Sequence, residues 1–144
     1  MTQYISPTST ANPDNNDEAR PAGVLSLQTA AMPADTNWSG DVFGGWLVSQ
    51  MDVAGAIFAR LHSKGRVVTV SINNVVFHAP VKVGSILACY TKMLRVGTTS
   101  MQILIEVWEI HDDQLDMRKV TDGIFTFVAL DSEGQKRTVP PMNV

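Results

Sequence analysis

One carboxylate is conspicuous because it lies in a segment that is otherwise almost entirely apolar. Asp52 is the only charged residue between Gly44 and Ala59, where Ser49 and Gln50 are the only other polar ones. Removing a carboxylate from water is costly unless a partner or a reaction uses it. Asp52 is therefore the first candidate catalytic residue, as a general base or a nucleophile. The alternative is a structural aspartate that bonds to the backbone or to a neighbouring strand.

Two glycines, Gly44 and Gly45, begin the same segment, although glycine is a poor helix former. The first N–H groups of a helix have no acceptor within it and lie at its positive end. Because glycine has no β-carbon, another group can approach these donors closely. The pair are candidate donors to a developing oxyanion. The two glycines can also have a steric role, in which the helix start packs tightly against a strand, and this is compatible with the donor role.

The spacing of these residues limits how they can cooperate. Gly45 and Asp52 are seven residues apart, which is about 10.5 Å along a helix axis. An attacking group and the oxyanion donors must both lie about 3 Å from one reacting carbonyl. One helix cannot place both there. If both act, Asp52 comes from one subunit and the two amides come from another.

The elements that must position these residues can be read from the hydrophobic pattern. The predicted helix starts at Gly44, is apolar on nearly all sides, and ends near 62–65, with Ser39 or Asp41 as a possible N-cap. Around it the pattern predicts strands at 24–30, 66–72 continuing to 78 past a bulge at 73–74, 86–95, 99–110 and 120–130. In the fourth, Met101 and every second residue to Val107 face one side. This order predicts an α+β fold, with an antiparallel sheet curled around one long helix and a partner subunit covering the rest of it.

Composition excludes several classes of function. A formal charge of −3 disfavours a nucleic-acid surface, and the interrupted apolar helix disfavours a membrane span. The single cysteine, Cys89, and the absence of a signal peptide favour the cytoplasm. Cys89 is predicted to be a core thiol and His78 to be structural, and no zinc-like spacing is present. Residues 1–22 are predicted to be a flexible tail, because they are too polar to pack, and 23–144 a single domain.

Four segments together resemble a known family. They are Gly40–Leu47 joined to Met51-Asp52, then Val68-Thr69, Phe77–Gly84 and Gly97–Ser100. In this order and spacing they are similar to the hotdog-fold acyl-CoA thioesterases, most closely the small YciA-like bacterial branch. The likeness extends from about Val24 to Pro140.

The resemblance implies a hotdog fold and hydrolysis of acyl-CoA to a free acid and coenzyme A, without a metal or cofactor. It implies that Asp52 acts as base or nucleophile and that Gly44 and Gly45 of a partner subunit hold the oxyanion. Asp41, where related enzymes carry an asparagine, would come from the second subunit to orient water or substrate, unless it is only a helix cap.

The resemblance also implies a coenzyme A path and an assembly. Residues lining the pantetheine and nucleotide would be Val70, Ser71, Ile72, Thr99, Ser100 and Met101. The subunits would form a homodimer with shared sites and then a trimer of dimers. Two rival functions remain at this stage: a hydroxyacyl-thioester dehydratase, which usually needs a histidine on the helix, and a non-catalytic acyl-CoA sensor, which would lack the carboxylate.

Overall fold

The computed structural model describes residues 20–111 and 116–142. Its elements are β1 (Val24–Ala30), a 3-10 turn (Pro33–Asp35), α1 (Gly44–Ser63), β2 (Val67–Phe77), β3 (Ile86–Val96), β4 (Ser100–Ile110) and β5 (Met117–Ala129). The strands form one antiparallel sheet in the order β1-β3-β4-β5-β2. The predicted α+β fold, one long helix against an antiparallel sheet, is confirmed.

The helix packs against one face of the sheet. The predicted alternation in β4 is confirmed, since Met101, Ile103, Ile105 and Val107 are all in the core with the helix. The approach is closest at Gly55, where a β-carbon would lie 2.6 Å from Ile105 Cδ1 and 2.8 Å from the Phe127 ring. A side chain at this position would push the helix away from the sheet.

The other side of the helix is exposed and still apolar. Val53, Ile57 and Leu61 recur every fourth residue, which places them on one stripe, and Leu61 is 73% exposed. The edge strand β2 also exposes apolar side chains, including Val70 and Ile72. This is the helix side for which the sequence predicted a covering partner.

The two ends of the helix differ from the sequence prediction in detail. Neither Ser39 nor Asp41 caps the helix, because the N-cap residue is Phe43 and it makes no side-chain cap hydrogen bond. At the other end the helix stops where predicted, with Arg60 and His62 in its last turn. The left-handed cap residue is Lys64 (φ 59°) rather than Gly65.

The predicted interruption in β2 is confirmed. The register with β5 shifts between Asn73 and Val76, and Asn74 has a positive φ of 56°. The predicted tail, 1–22, lies largely outside the described residues, which begin at Arg20. Ala22 already contacts the body, because its N–H donates to Glu106 Oε1 at 2.9 Å. Within the described ranges, no helix is long and apolar enough to cross a membrane.

Candidate functional site

The N-terminus of the helix presents free backbone donors. Trp46 and Leu47 donate their N–H groups to the Phe43 carbonyl, at 3.1 and 3.2 Å. The N–H groups of Gly44 and Gly45 have no acceptor among the residues of the two described ranges. A β-carbon at Gly44 would lie 3.1 Å from the Phe77 ring, whereas one at Gly45 would meet nothing within 4 Å. The steric interpretation therefore applies at Gly44 alone, and the N–H groups of both glycines are available as donors.

A tightly bonded turn precedes the helix. The Asn37 N–H donates to the Asp41 carbonyl at 2.7 Å, and the Gly40 N–H donates to the Asn37 carbonyl at 3.0 Å. The Asn37 Oδ1 accepts from the N–H groups of Ser39 (2.8 Å) and Asp41 (3.1 Å). Because two backbone donors fix that atom as the oxygen, the amide Nδ2 of Asn37 points away from the turn and can donate elsewhere.

A cavity of about 420 Å³ opens beside this turn. Asp41 and Gly44 line it, and its apolar wall is Val42, Leu47, Phe77, Ala79, Pro80 and Val81, with His78 completing the lining. The volume is within the usual range for small-molecule sites. The Asp41 carboxylate pairs with the Lys82 ammonium at its edge. The cavity therefore combines helix-terminal donors with an apolar surface.

Asp52 lies two turns along the helix and does not line this cavity. Its carboxylate is partly buried, and its Oδ1 accepts a hydrogen bond from Thr69 Oγ1 at 2.6 Å. Thr69 faces the helix from β2, where it pairs with the core residue Phe127. The second carboxylate oxygen, Oδ2, has no partner within the described part of the chain and can bond to a water or a substrate.

The structure brings together some of the predicted site residues within one protomer but not all of them. Asp41 and Gly44 share the cavity, and Gly45 adjoins it. Asp52 is seven residues from Gly45 on the same helix, hence about 10.5 Å away along the axis. The separation deduced from the sequence is therefore present in the folded chain.

The predicted coenzyme A residues are on two strands separated by β5. Segments 70–72 and 99–101 are in the first half of β2 and at the start of β4, so they are about 10 Å apart across the sheet. Val70 and Ile72 are exposed, and Ser71, Thr99 and Ser100 are partly buried. Met101 needs correction as a lining side chain, because the alternation of β4 turns it into the core, where it is fully buried.

Two other reactive groups have structural environments. Cys89 is buried in the core, and burial raises the pKa of its thiol to about 12. His78 Nε2 lies 3.1 Å from Asp122 Oδ2, which also lies 3.3 Å from Lys119 Nζ. Burial supports the prediction that Cys89 is a core thiol, and the contact with Asp122 supports the prediction that His78 is structural.

Solved structures share this architecture. The chain is 42% identical to Cj0915, a hexameric hotdog-fold thioesterase of Campylobacter jejuni, with a TM-score of 0.77. The match covers 84% of this chain and 93% of Cj0915. It is also similar to an acyl-CoA hydrolase from Staphylococcus aureus, solved with butyryl coenzyme A, coenzyme A and coenzyme A disulfide. That match has 32% identity and a TM-score of 0.77, over 81% of this chain and 71% of the other. The hotdog fold expected from the resemblance is confirmed.

Alanine variants of the Staphylococcus enzyme mark three of its positions. They replace an asparagine, an aspartate 15 residues after it, and a threonine 17 residues after the aspartate. In this chain Asn37, Asp52 and Thr69 have the same two separations. Of these three residues, sequence reasoning singled out only Asp52 as catalytic. Asn37 was not singled out, and Thr69 was only part of a segment that carries the resemblance.

The comparisons with whole sequences agree. The model of the thioesterase superfamily matches residues 39–115. The acyl-CoA thioester hydrolase YciA of Escherichia coli is 49% identical over 123 residues, which are 83% of this chain and 93% of the relative. This chain therefore belongs to the thioesterase superfamily.

Proposed function

We propose that this protein hydrolyses acyl-CoA thioesters to a carboxylic acid and coenzyme A. The observation that carries the proposal is the shared spacing of Asn37, Asp52 and Thr69, in a chain 49% identical to an acyl-CoA thioester hydrolase. The hydrogen bond from Thr69 to Asp52 supports it, since two residues distant in sequence form one unit. The single cysteine favours the cytoplasm as the location.

The active site of this proposal is formed between two protomers. The distance of about 10.5 Å between Gly45 and Asp52 is too long for both to reach one carbonyl from the same helix. The exposed stripe Val53, Ile57 and Leu61 and the edge strand β2 offer the surface for a second copy. Because the similar Campylobacter thioesterase is hexameric, we propose a trimer of such dimers.

Each group has a role that follows from its surroundings. The Asp52 carboxylate of one protomer, held by Thr69, either removes a proton from an attacking water or attacks the thioester carbonyl itself. The Gly44 and Gly45 N–H groups of the other protomer donate to the oxygen that becomes negative. Asn37, beside them, donates its free amide to the same region, and Asp41 orients water or substrate at the cavity edge.

The net reaction adds water across the acyl carbon–sulfur bond. A hydroxyl oxygen from water ends on the acyl carbon, either directly or after hydrolysis of an acyl-Asp52 anhydride. The carbon–sulfur bond breaks, and the sulfur of coenzyme A takes a proton. The apolar wall of the cavity, including Phe77 and Val81, suits the acyl group. Segments 70–72 and 99–100, with the backbone of Met101, line the path of coenzyme A, and no metal or cofactor is needed.

The two rival functions have less support. The dehydratase reading usually needs a histidine on the helix, whereas the histidine that lines the cavity, His78, follows β2 and is paired with Asp122. His62 is at the far end of the helix from Gly44, and its Nε2 is 2.9 Å from the Pro140 carbonyl oxygen. The sensor reading leaves the Asp52–Thr69 pair and the free amides of Gly44 and Gly45 without a use.

The test is release of coenzyme A from a panel of acyl-CoAs by the full chain. Asp52→Asn should lower kcat by at least about 10²- to 10⁴-fold, the contribution of a positioned base, without changing the assembly. Asp116→Asn, at an exposed aspartate before β5, is the matched control and should keep the native rate. No hydrolysis by the native chain, or a native rate in Asp52→Asn, would reject the proposal.

A further inference from the structure

A tryptophan beside the candidate site is exposed on the surface of the protomer. Trp38 is 97% exposed, the highest value among the large apolar side chains in the described ranges. The other two tryptophans behave differently, since Trp46 is partly buried against the core and Trp108 is 3% exposed. Exposing a whole indole leaves a large apolar area in water, which an apolar contact would remove.

The turn that carries Trp38 is braced without help from the indole. Asn37 accepts hydrogen bonds from the N–H groups of Ser39, Gly40 and Asp41, and its own N–H donates to the Asp41 carbonyl. The flanking segments are joined by backbone bridges, Thr36 to Val42 and Asp41 to Lys82. The backbone therefore presents Trp38 in a fixed place. For the same reason, replacing the indole should leave the turn folded.

The turn that carries Trp38 adjoins the cavity through Asp41. Asp41, which lines the cavity, is bonded through its carbonyl to the N–H of Asn37. Trp38 follows Asn37 directly, with about 3.8 Å between their Cα atoms. Trp38 is thus next in the chain to a residue bonded to the wall of a largely apolar cavity.

We propose that Trp38 contacts the acyl group of the substrate and makes the rate depend on acyl-chain length. The inference rests on the proposed function, which puts the thioester near Asn37, Gly44 and Gly45. The nucleotide of coenzyme A is separated from the thioester by the whole phosphopantetheine arm, so it lies outside the reach of a side chain beside Asn37. Of the two groups attached at the thioester, the acyl chain is the apolar one and matches the indole.

The expected effect has a distinctive dependence on chain length. Full burial of one methylene changes an equilibrium about fourfold. An indole covers only one side of a chain, so each methylene in contact should contribute roughly twofold. Acyl groups too short to reach Trp38 should be hydrolysed at the native rate after its removal. Longer acyl groups should lose progressively more of the native kcat/KM, until the acyl chain extends past the ring.

The experiment compares kcat/KM of the native chain, Trp38→Ala and Trp38→Phe on acyl-CoAs from acetyl to dodecanoyl. The expected result is a native-to-Ala ratio near one for acetyl-CoA that rises to about 10-fold with chain length, with Trp38→Phe between the two. Val24→Ala is the matched control, because Val24 is an exposed apolar residue on β1. It should give a ratio near one at every length.

Other outcomes have defined meanings. An equal loss at all chain lengths would overturn the inference in favour of a coenzyme A contact, or of a subunit contact if sizing shows altered assembly. No change at any length would overturn it as well. These failures leave the proposed function intact, because the native chain still hydrolyses acyl-CoA. If the native chain hydrolyses none of the substrates, the proposed function fails and the inference with it.

Discussion

The hydrogen bond between Thr69 and Asp52 allows a quantitative prediction for Thr69→Val. Valine keeps the shape of threonine but cannot donate to Asp52 Oδ1, to which the native hydroxyl is bonded at 2.6 Å. A hydrogen bond to a charged group contributes about 1.5–3 kcal/mol. If all of it orients the carboxylate in the transition state, kcat should fall by about 10- to 150-fold.

The assay is coenzyme A release at saturating substrate, with sizing and thermal unfolding as controls for assembly. Thr69→Ser retains the hydroxyl, so it should recover most of the native kcat. If Thr69 were merely structural, Thr69→Val would lower stability, and kcat would not differ between the valine and serine variants. A Thr69→Val protein with native kcat would refute the reasoning that Thr69 positions the carboxylate.

Three further predictions concern the helix packing, the cysteine and the N-terminal tail. Gly55→Ala should lower the free energy of unfolding by about 1–3 kcal/mol, because its β-carbon would overlap Ile105 and Phe127. Thermal unfolding at fixed protomer concentration checks this. The control Gly45→Ala should show no such loss, because a β-carbon at Gly45 meets nothing within 4 Å. Since burial raises the pKa of the Cys89 thiol to about 12, the native thiol should stay protonated and unlabelled by iodoacetamide at pH 8; labelling as fast as in urea would contradict this. Deleting residues 1–19, which keeps Ala22, should leave activity and Tm nearly unchanged, and a large drop in either would show that the tail packs on the body.

Local patterns in the sequence predicted the elements well. The bounds of β1 and the start of the helix at Gly44 were correct, because periodicity and the turn residues around them are local signals. The alternation from Met101 to Val107 predicted the core face of β4 for the same reason. The cap residues Phe43 and Lys64 were missed, since their backbone geometry depends on how the chain enters and leaves the helix.

The site was only partly predictable, because its contacts join distant segments. Asp52 was identifiable as a lone carboxylate in an apolar helix. Its contact with Thr69 depends on how the helix crosses β2, and the strand order that puts β2 at the edge has no local signature. The role of the Asn37 side chain was equally unpredictable, since the sequence does not indicate which backbone N–H groups will donate to a polar turn residue.

The central claim is that one site needs two protomers, and a mixing experiment tests it most directly. Asp52→Asn removes the carboxylate, and Gly45→Val obstructs the amide turn. The Gly45→Val protein is expected to fold, since a β-carbon at this position meets nothing within 4 Å. Each variant alone has every site damaged. In a mixed dimer, one site combines the intact Asp52 of one chain with the intact amides of the other.

The measurement is the rate of coenzyme A release after subunit exchange between the two inactive variants. Tagged subunits confirm the exchange, and circular dichroism confirms that Gly45→Val is folded. A site shared between protomers predicts that each mixed dimer regains up to about half of the native dimer's activity, because one of its two sites is whole. Confirmed mixed dimers that remain as inactive as both parents would contradict the shared site.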